Sequence, residues 1–309
     1  MRKLNNIEIF QGRKYLSSNK NYFEGWYFKN SSDGGCISFI PGISINADEK
    51  ISFIQVITDD NSWIVDYNID DFEYNDEPFW IRIGNNYFSK ERVHIDINDK
   101  ELGLNIKGDL KYKNHIYLKR NIMGFFSYIP FMQCNHSILS MKNKVEGNLF
   151  INDNNIEFLN GTGYIEKDFG VSFPKYYIWG QGNNFNDKDV SFFISVADIW
   201  FKMFNFRGFI CSLIVNGKEY RFATYNNSKI LKCEVNDNGY NIILKRGKYI
   251  LEVDAFCNDS FLLKAPVDGK IDKEIFECIN GKINITLKKN KKIIFLDESY
   301  NCGIEMVNE

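Results

Sequence analysis

The chain of 309 residues is short of proline, short of histidine and without a surplus of either charge. Five prolines are too few for a proline-rich linker or a low-complexity polymer. The three histidines, at 94, 115 and 136, show no local ligand spacing, so no metal site is expected. Lys and Arg number 38 against 40 Asp and Glu, a net charge of -2, which makes no electrostatic case for a nucleic-acid partner. No pair among the seven cysteines forms a CxxC motif, and their count is odd. The opening MRKLNNIEIFQGRK has no continuous apolar region of the signal-peptide kind, so reduced thiols and a cytoplasmic location are expected. Long apolar runs are also missing. The greasiest stretch, 192–215, is broken by Asp198, Lys202 and Arg207, which argues against a membrane-spanning helix. No P-loop, GxSxG elbow or dinucleotide fingerprint occurs.

What is present is aromatic and alternating. Phe (27) and Tyr (17) dominate a 16% aromatic share, and such side chains favour strands, where their bulk packs on a pleated surface. Alternation over short windows predicts strands at 51–58, 93–98, 190–198 and 248–256. Turn signals separate the windows at Asp33-Gly34-Gly35, Gly84-Asn85-Asn86, Asn152-Asp153-Asn154, Asn216-Gly217, Asn238-Gly239 and Asn280-Gly281. No long amphipathic helix is predicted. The pattern is that of an all-β protein built from barrels or sandwiches. The length suits two domains, divided at 1–125 and 126–309. Residues 121–134, NIMGFFSYIPFMQC, break the hairpin rhythm and read as the connection. This apolar segment suits packing in a domain interface, a ligand mouth or a peripheral membrane contact.

Four places can carry chemistry. In NYFEGWYFK, residues 21–29, alternation puts Tyr22, Glu24, Trp26 and Phe28 on one face. A carboxyl among aromatics is desolvated, and a carboxyl kept protonated can serve as a general acid; the structural alternative is a buried Glu paired with Lys or Arg. In Gly163–Asp168, Tyr164, Glu166 and Asp168 share one face, with Lys167 on the other. Carboxylates at i and i+2 on a strand stand about 7 Å apart, and in a dry site their repulsion separates them into acid and base. Further on, Tyr177, Trp179, Gln181, Asn183 and Phe185 share a face, where neutral amides suit a hydroxyl or carbonyl on a greasy ligand. Gly180 and Gly182 lie opposite, where a second backbone can approach closely. Finally, Asn135-His136-Ser137 places a proton carrier beside the thiol of Cys134. For each place, an ordinary structural or surface role is the alternative.

Taken in order, YFEGWYFK (22–29), CNHSILSM (134–141), GYIEKDFGVSFPKYYIWGQGNNF (163–185), SVAD (195–198), RGFI (207–210), RFATY (221–225), LKAPVDGK (263–270) and GIE (303–305) resemble the tocopherol cyclase family, particularly its bacterial branch. Phe169 and Asn184 stand where close bacterial members carry Trp and His. The resemblance implies two tandem lipocalin-like antiparallel β-barrels, related to the carotenoid hydratase and AttH-like proteins. It also implies a cyclase that needs no cofactor. An acid protonates an alkene of a prenylated (hydro)quinone or related isoprenoid lipid, and the phenolic oxygen captures the cation. On this basis the catalytic candidates are Glu24, Glu166, Asp168 and His136. The substrate-binding candidates are Trp26, Tyr27, Asn135, Tyr164, Lys167, Trp179, Gln181 and Asn183. The expected partner is a hydrophobic small molecule. The competing reading is a non-catalytic lipocalin-like binder of such a molecule; a third, a structural or interaction protein, predicts a filled barrel.

Overall fold

A computed structural model describes residues 9–129, 132–201 and 204–308. The first eight residues, Pro130 and Phe131 of the apolar connection, and Lys202 of the 192–215 stretch therefore lie outside the described residues. The architecture is all-β, and the chain divides into two compact units.

Eleven strands form the antiparallel sheet of the first unit: β1 (Tyr22–Ser32), β2 (Gly35–Ile45), β3 (Lys50–Thr58), β4 (Ser62–Asn68), β5 (Phe72–Asp76), β6 (Phe79–Ile83), β7 (Asn86–Ser89), β8 (Arg92–Asp99), β9 (Leu104–Ile116), β10 (Cys134–Ile151) and β11 (Asn154–Gly170). Their order is β4-β3-β2-β1-β11-β10-β9-β8-β7-β6-β5, a nearly closed barrel. Two meanders, β1–β4 and β5–β9, are joined through the long β10–β11 hairpin, which pairs β9 on one side and β1 on the other. Residues 134–170, placed in the second domain by a cut after residue 125, are thus the middle of the first sheet. The reason is hydrogen bonding: without them β1 and β9 would each expose an unpaired edge.

Alternation sends Trp26, Phe28, Phe39, Ile54, Phe88, Ile95 and Leu149 inward, where all are fully buried. Each such side chain contributes roughly 1.5–3 kcal/mol on leaving water. The segment before β1 also enters this interior. Phe10 packs on Phe72 and Tyr74, and Tyr15 stacks on Tyr22 at 4.0 Å. On the opposite face of the sheet lies part of the LKAPVDGK block. The side-chain amide of Gln55 exchanges two 2.9 Å hydrogen bonds with the backbone of Lys264, and Ser44 donates to Gly269 O at 2.6 Å.

The second unit contains β12 (Tyr177–Gly182), β13 (Asn184–Phe185), β14 (Val190–Phe201), β15 (Phe204–Val215), β16 (Lys218–Ala223), β17 (Lys229–Asn236), β18 (Gly239–Arg246), β19 (Tyr249–Phe256), β20 (Phe261–Val267), β21 (Lys270–Lys289) and β22 (Lys292–Val307). Its main order is β16-β15-β14-β12-β22-β21-β19-β18-β17. Leu263–Glu274, which spans the end of β20 and the start of β21, belongs to the first unit. The Asn216-Gly217 turn has the two positive φ values, 49° and 74°, that a tight hairpin requires. Asn280-Gly281 is no turn; it lies inside β21 at a register irregularity against β22. The connection at 121–134 contributes 122–132 to the second unit, with a 3-10 turn at Gly124–Tyr128. All seven cysteines are free thiols. Among the described residues, no helix is long and apolar enough to cross a membrane.

Candidate active site

The pairing of β1, β11 and β10 decides which candidates meet. Opposite residues in an antiparallel ladder present side chains on the same face. Tyr27 pairs Glu166, Lys29 pairs Tyr164, and His136 pairs Asp168. Their side chains therefore share the outer face of the barrel sheet, which also carries Ser38 across from Lys29. This outer face is not a wet one: Tyr27, Lys29, Ser38, Tyr164 and Glu166 are all buried.

The centre of the cluster is an imidazole between two carboxylates. His136 Nδ1 lies 2.9 Å from Asp168 Oδ1, and Nε2 lies 3.5 Å from Glu166 Oε2. Burial on its own would lower the pKa of His136. The charges of Asp168 and Glu166 and the hydrogen bond to Asp168 outweigh it and push the pKa up to about 9. The ring is thus an imidazolium at neutral pH. The Tyr164 hydroxyl donates a short hydrogen bond to the same Glu166 Oε2. Burial, together with the Glu166 charge, raises the Tyr164 pKa well above its ordinary value, so it stays a phenol donor. Ser38 donates to the Tyr27 hydroxyl at 3.0 Å, and the Tyr27 and Tyr164 rings meet edge to face at 6.4 Å.

Cys134 sits beside this cluster, 3.6 Å from Asp168 Oδ1. Burial and the two carboxylate charges hold its thiol protonated, which is the opposite of what a nucleophilic cysteine needs. The ligand atoms of His136, Glu166 and Asp168 lie within 4.8 Å of one another, close enough to hold a cation. Each ring nitrogen faces a different carboxylate, an arrangement that also suits proton transfer between His136 and the two acids.

Glu24, Trp26 and Lys167 do not join the cluster. They lie on the other face of the same strands, inside the barrel. Lys167 Nζ is 2.5 Å from Glu24 Oε1 and donates to Ile9 O at 2.6 Å, with both side chains fully buried. Glu24 also accepts from the Gln11 and Gly12 amides and, at 2.6 Å, from the Tyr22 hydroxyl. Each of these groups is a donor, so the carboxylate serves as an acceptor that ties residues 9–12 to β1. Trp26 packs among Phe10, Phe72 and Phe79, with the Lys167 ammonium 5.4 Å from its ring. Asn135 pairs Phe169, which in turn pairs Glu24, so it too stands at a register position of the inner face.

Trp179, Gln181 and Asn183 belong to the second unit and are buried there. In register Trp179 meets Glu305, and Glu305 meets the fully buried Glu277. Tyr177 donates to Glu305 at 2.8 Å. The glycines opposite them do not admit a second backbone. A methyl group at Gly180 would come 2.0 Å from the Tyr240 hydroxyl, so the space is taken by a tyrosine side chain.

Sequence reasoning left out Lys29, Ser38, Glu277 and Glu305. Lys29 was detectable by parity, as the cation that alternation assigns to the Tyr27 face in place of Lys167. Ser38 had no signal, since a serine on the polar side of an alternating strand is ordinary until burial is known.

Fold and site together define a β-barrel protein with a buried acid–base cluster on the outer face of its sheet. The comparisons with known proteins agree with that class. Residues 94–307 match the tocopherol cyclase-like family, and the chain belongs to it. Comparison with curated sequences returns no match. Among solved structures, the chain is similar to CghA with Sch210972, with a TM-score of 0.60, 7% identity, and coverage of 93% of this chain and 88% of that one. It is similar to kievitone hydratase from Nectria haematococca, with a TM-score of 0.54, 11% identity, and coverage of 98% and 94%. An AttH-like protein from Nitrosomonas europaea matches with a TM-score of 0.51, 10% identity and 97% coverage of each chain. At such identities the likeness is one of fold.

Proposed function

We propose that the chain is a cofactor-independent enzyme that adds an O–H group across a carbon–carbon double bond of a prenylated (hydro)quinone or related isoprenoid lipid, closing a ring. The observation that carries this is the buried imidazolium of His136, held between Asp168 and Glu166 with a phenol, Tyr164, on the same carboxylate. A passive binding barrel has no need of such an array, and membership of the tocopherol cyclase-like family points the same way.

The steps balance without an outside reagent. His136 gives its Nε2 proton to one alkene carbon, and the π electrons form the new C–H bond. The phenolic oxygen bonds to the other carbon. Its proton passes to Glu166, which stands 3.5 Å from Nε2 and returns it to the ring. Asp168 keeps Nδ1 occupied and the ring oriented. An imidazolium of pKa about 9 is a weak acid for an alkene. C–O bond formation must therefore accompany proton transfer, so that no free carbocation has to form. The Tyr27 and Tyr164 rings can stabilise the developing charge by roughly 0.5–2 kcal/mol each.

The test is incubation of the purified protein with a prenylated hydroquinone in deuterated water, with the product analysed by mass spectrometry. A cyclised product carrying one carbon-bound deuterium is expected. His136→Gln should lower turnover about 10²–10⁴-fold while substrate binding persists. Turnover unchanged by His136→Gln, Glu166→Gln and Asp168→Asn would sink the assignment.

A further inference from the structure

Three hairpin ends of the second unit come together. The backbone N–H of Asn290, in the β21–β22 turn, donates to Lys248 O in the β18–β19 turn at 2.9 Å. Arg246 donates to Arg221 O at 2.8 Å, and the Tyr220 and Tyr249 rings meet edge to face at 5.5 Å. Between β16 and the β18–β19 turn lies an open cleft of about 480 Å³ whose lining includes Lys218, Glu219, Tyr220, Arg221, Arg246 and Lys248. The segments 216–222, 244–250 and 287–296 together hold nine Lys and Arg against one acid, Glu219, in a chain whose net charge is -2. Glu219 engages Arg221, and Glu252 engages Lys288. The remaining seven cations are exposed. Directly after the run Lys288-Lys289-Asn290-Lys291-Lys292 come three exposed aliphatic side chains, Ile293 at 58%, Ile294 at 44% and Leu296 at 67%.

We propose that this end of the second unit docks on an anionic lipid surface. The cations approach the headgroup phosphates, and Ile293, Ile294 and Leu296 enter the interfacial layer. Charge alone would serve a nucleic acid equally well. The exposed aliphatic side chains beside the lysine run decide for the bilayer, because they gain nothing against a phosphate backbone and gain burial in lipid. Docking of this kind is independent of the acid–base chemistry of the first unit.

The experiment is co-sedimentation of the full chain with vesicles of phosphatidylcholine alone and of phosphatidylcholine mixed with phosphatidylglycerol. Binding is expected only to the mixed vesicles and should weaken as salt is raised. Replacing Lys289, Lys291 and Lys292 by Gln should lower the partition coefficient on the order of 100-fold. Ile294→Ser with Leu296→Ser should weaken binding while preserving its salt dependence. Far-UV circular dichroism identical to that of the parent chain verifies that these surface variants fold. Equal binding to both vesicle types, or binding unchanged by the Lys variant, overturns the proposal. So does displacement from vesicles by a DNA or RNA duplex at equal phosphate concentration, which would mark the patch as a nucleic-acid surface.

Discussion

Two buried ionic clusters lie back to back in the same three strands, and they do different work. Lys167 and Glu24 face inward, where Glu24 accepts from Lys167, the Gln11 and Gly12 amides and the Tyr22 hydroxyl. Removing one partner leaves a buried charge uncompensated, so Glu24→Ala should cost about 3–5 kcal/mol. Urea denaturation would show this as a lower midpoint, with Lys167→Met in the same chain restoring part of the loss. His136 and its carboxylates face outward, and there the pH dependence is informative. The pKa of His136 is raised in the folded state, to about 9 from an ordinary 6.5. Protonated His136 therefore contributes stability that is full below about pH 6.5 and is lost as pH rises through about 9. The shift corresponds to a contribution on the order of 3 kcal/mol. Thermal unfolding midpoints should thus fall between about pH 7 and 10, and His136→Gln should flatten that fall. A wild-type profile no steeper than that of the variant would contradict a charged His136.

At the scale of the strand, alternation accounts for most of what the site needed. Tyr164, Glu166 and Asp168 do share a face of β11, and Tyr22, Glu24, Trp26 and Phe28 do share a face of β1. What alternation could not say is which face points inward, because period two labels the faces without orienting them. Aromatic surroundings suggested a dry site for Glu24, and the surroundings are indeed dry, but they are the barrel core. The Gly180 position shows a related limit. A small residue announces a close neighbour without naming it, and the neighbour is Tyr240. Gly180→Ala should cost about 1–3 kcal/mol by overpacking. Adding Tyr240→Phe should recover part of it, a coupling that a double-mutant cycle in urea would measure.

For the molecule as a whole, chain order and spatial order diverge. The β10–β11 hairpin and Leu263–Glu274 both return to the first unit after the chain has left it. A fragment ending at residue 125 therefore lacks the two strands between β1 and β9 and the segment held by Gln55 and Ser44. Such a fragment should be unfolded or aggregated, with little amide dispersion in a nuclear magnetic resonance spectrum. A cooperatively folded 1–125 would refute the pairing described above.

The sequence by itself determined the all-β class, most of the hairpin positions and the blocks that carry the family resemblance. These follow from local rules: residue alternation, turn conformations and the short reach of a motif. Only the tertiary structure decided that His136 stands between Asp168 and Glu166, 32 and 30 positions further along the chain. It also decided that Glu24 is spent on Lys167, and that Lys29 and Ser38 share the buried face of Tyr27. Those facts depend on strand register and on which side of a sheet is covered. Both are set by pairing between residues far apart in the chain, and no local window contains them.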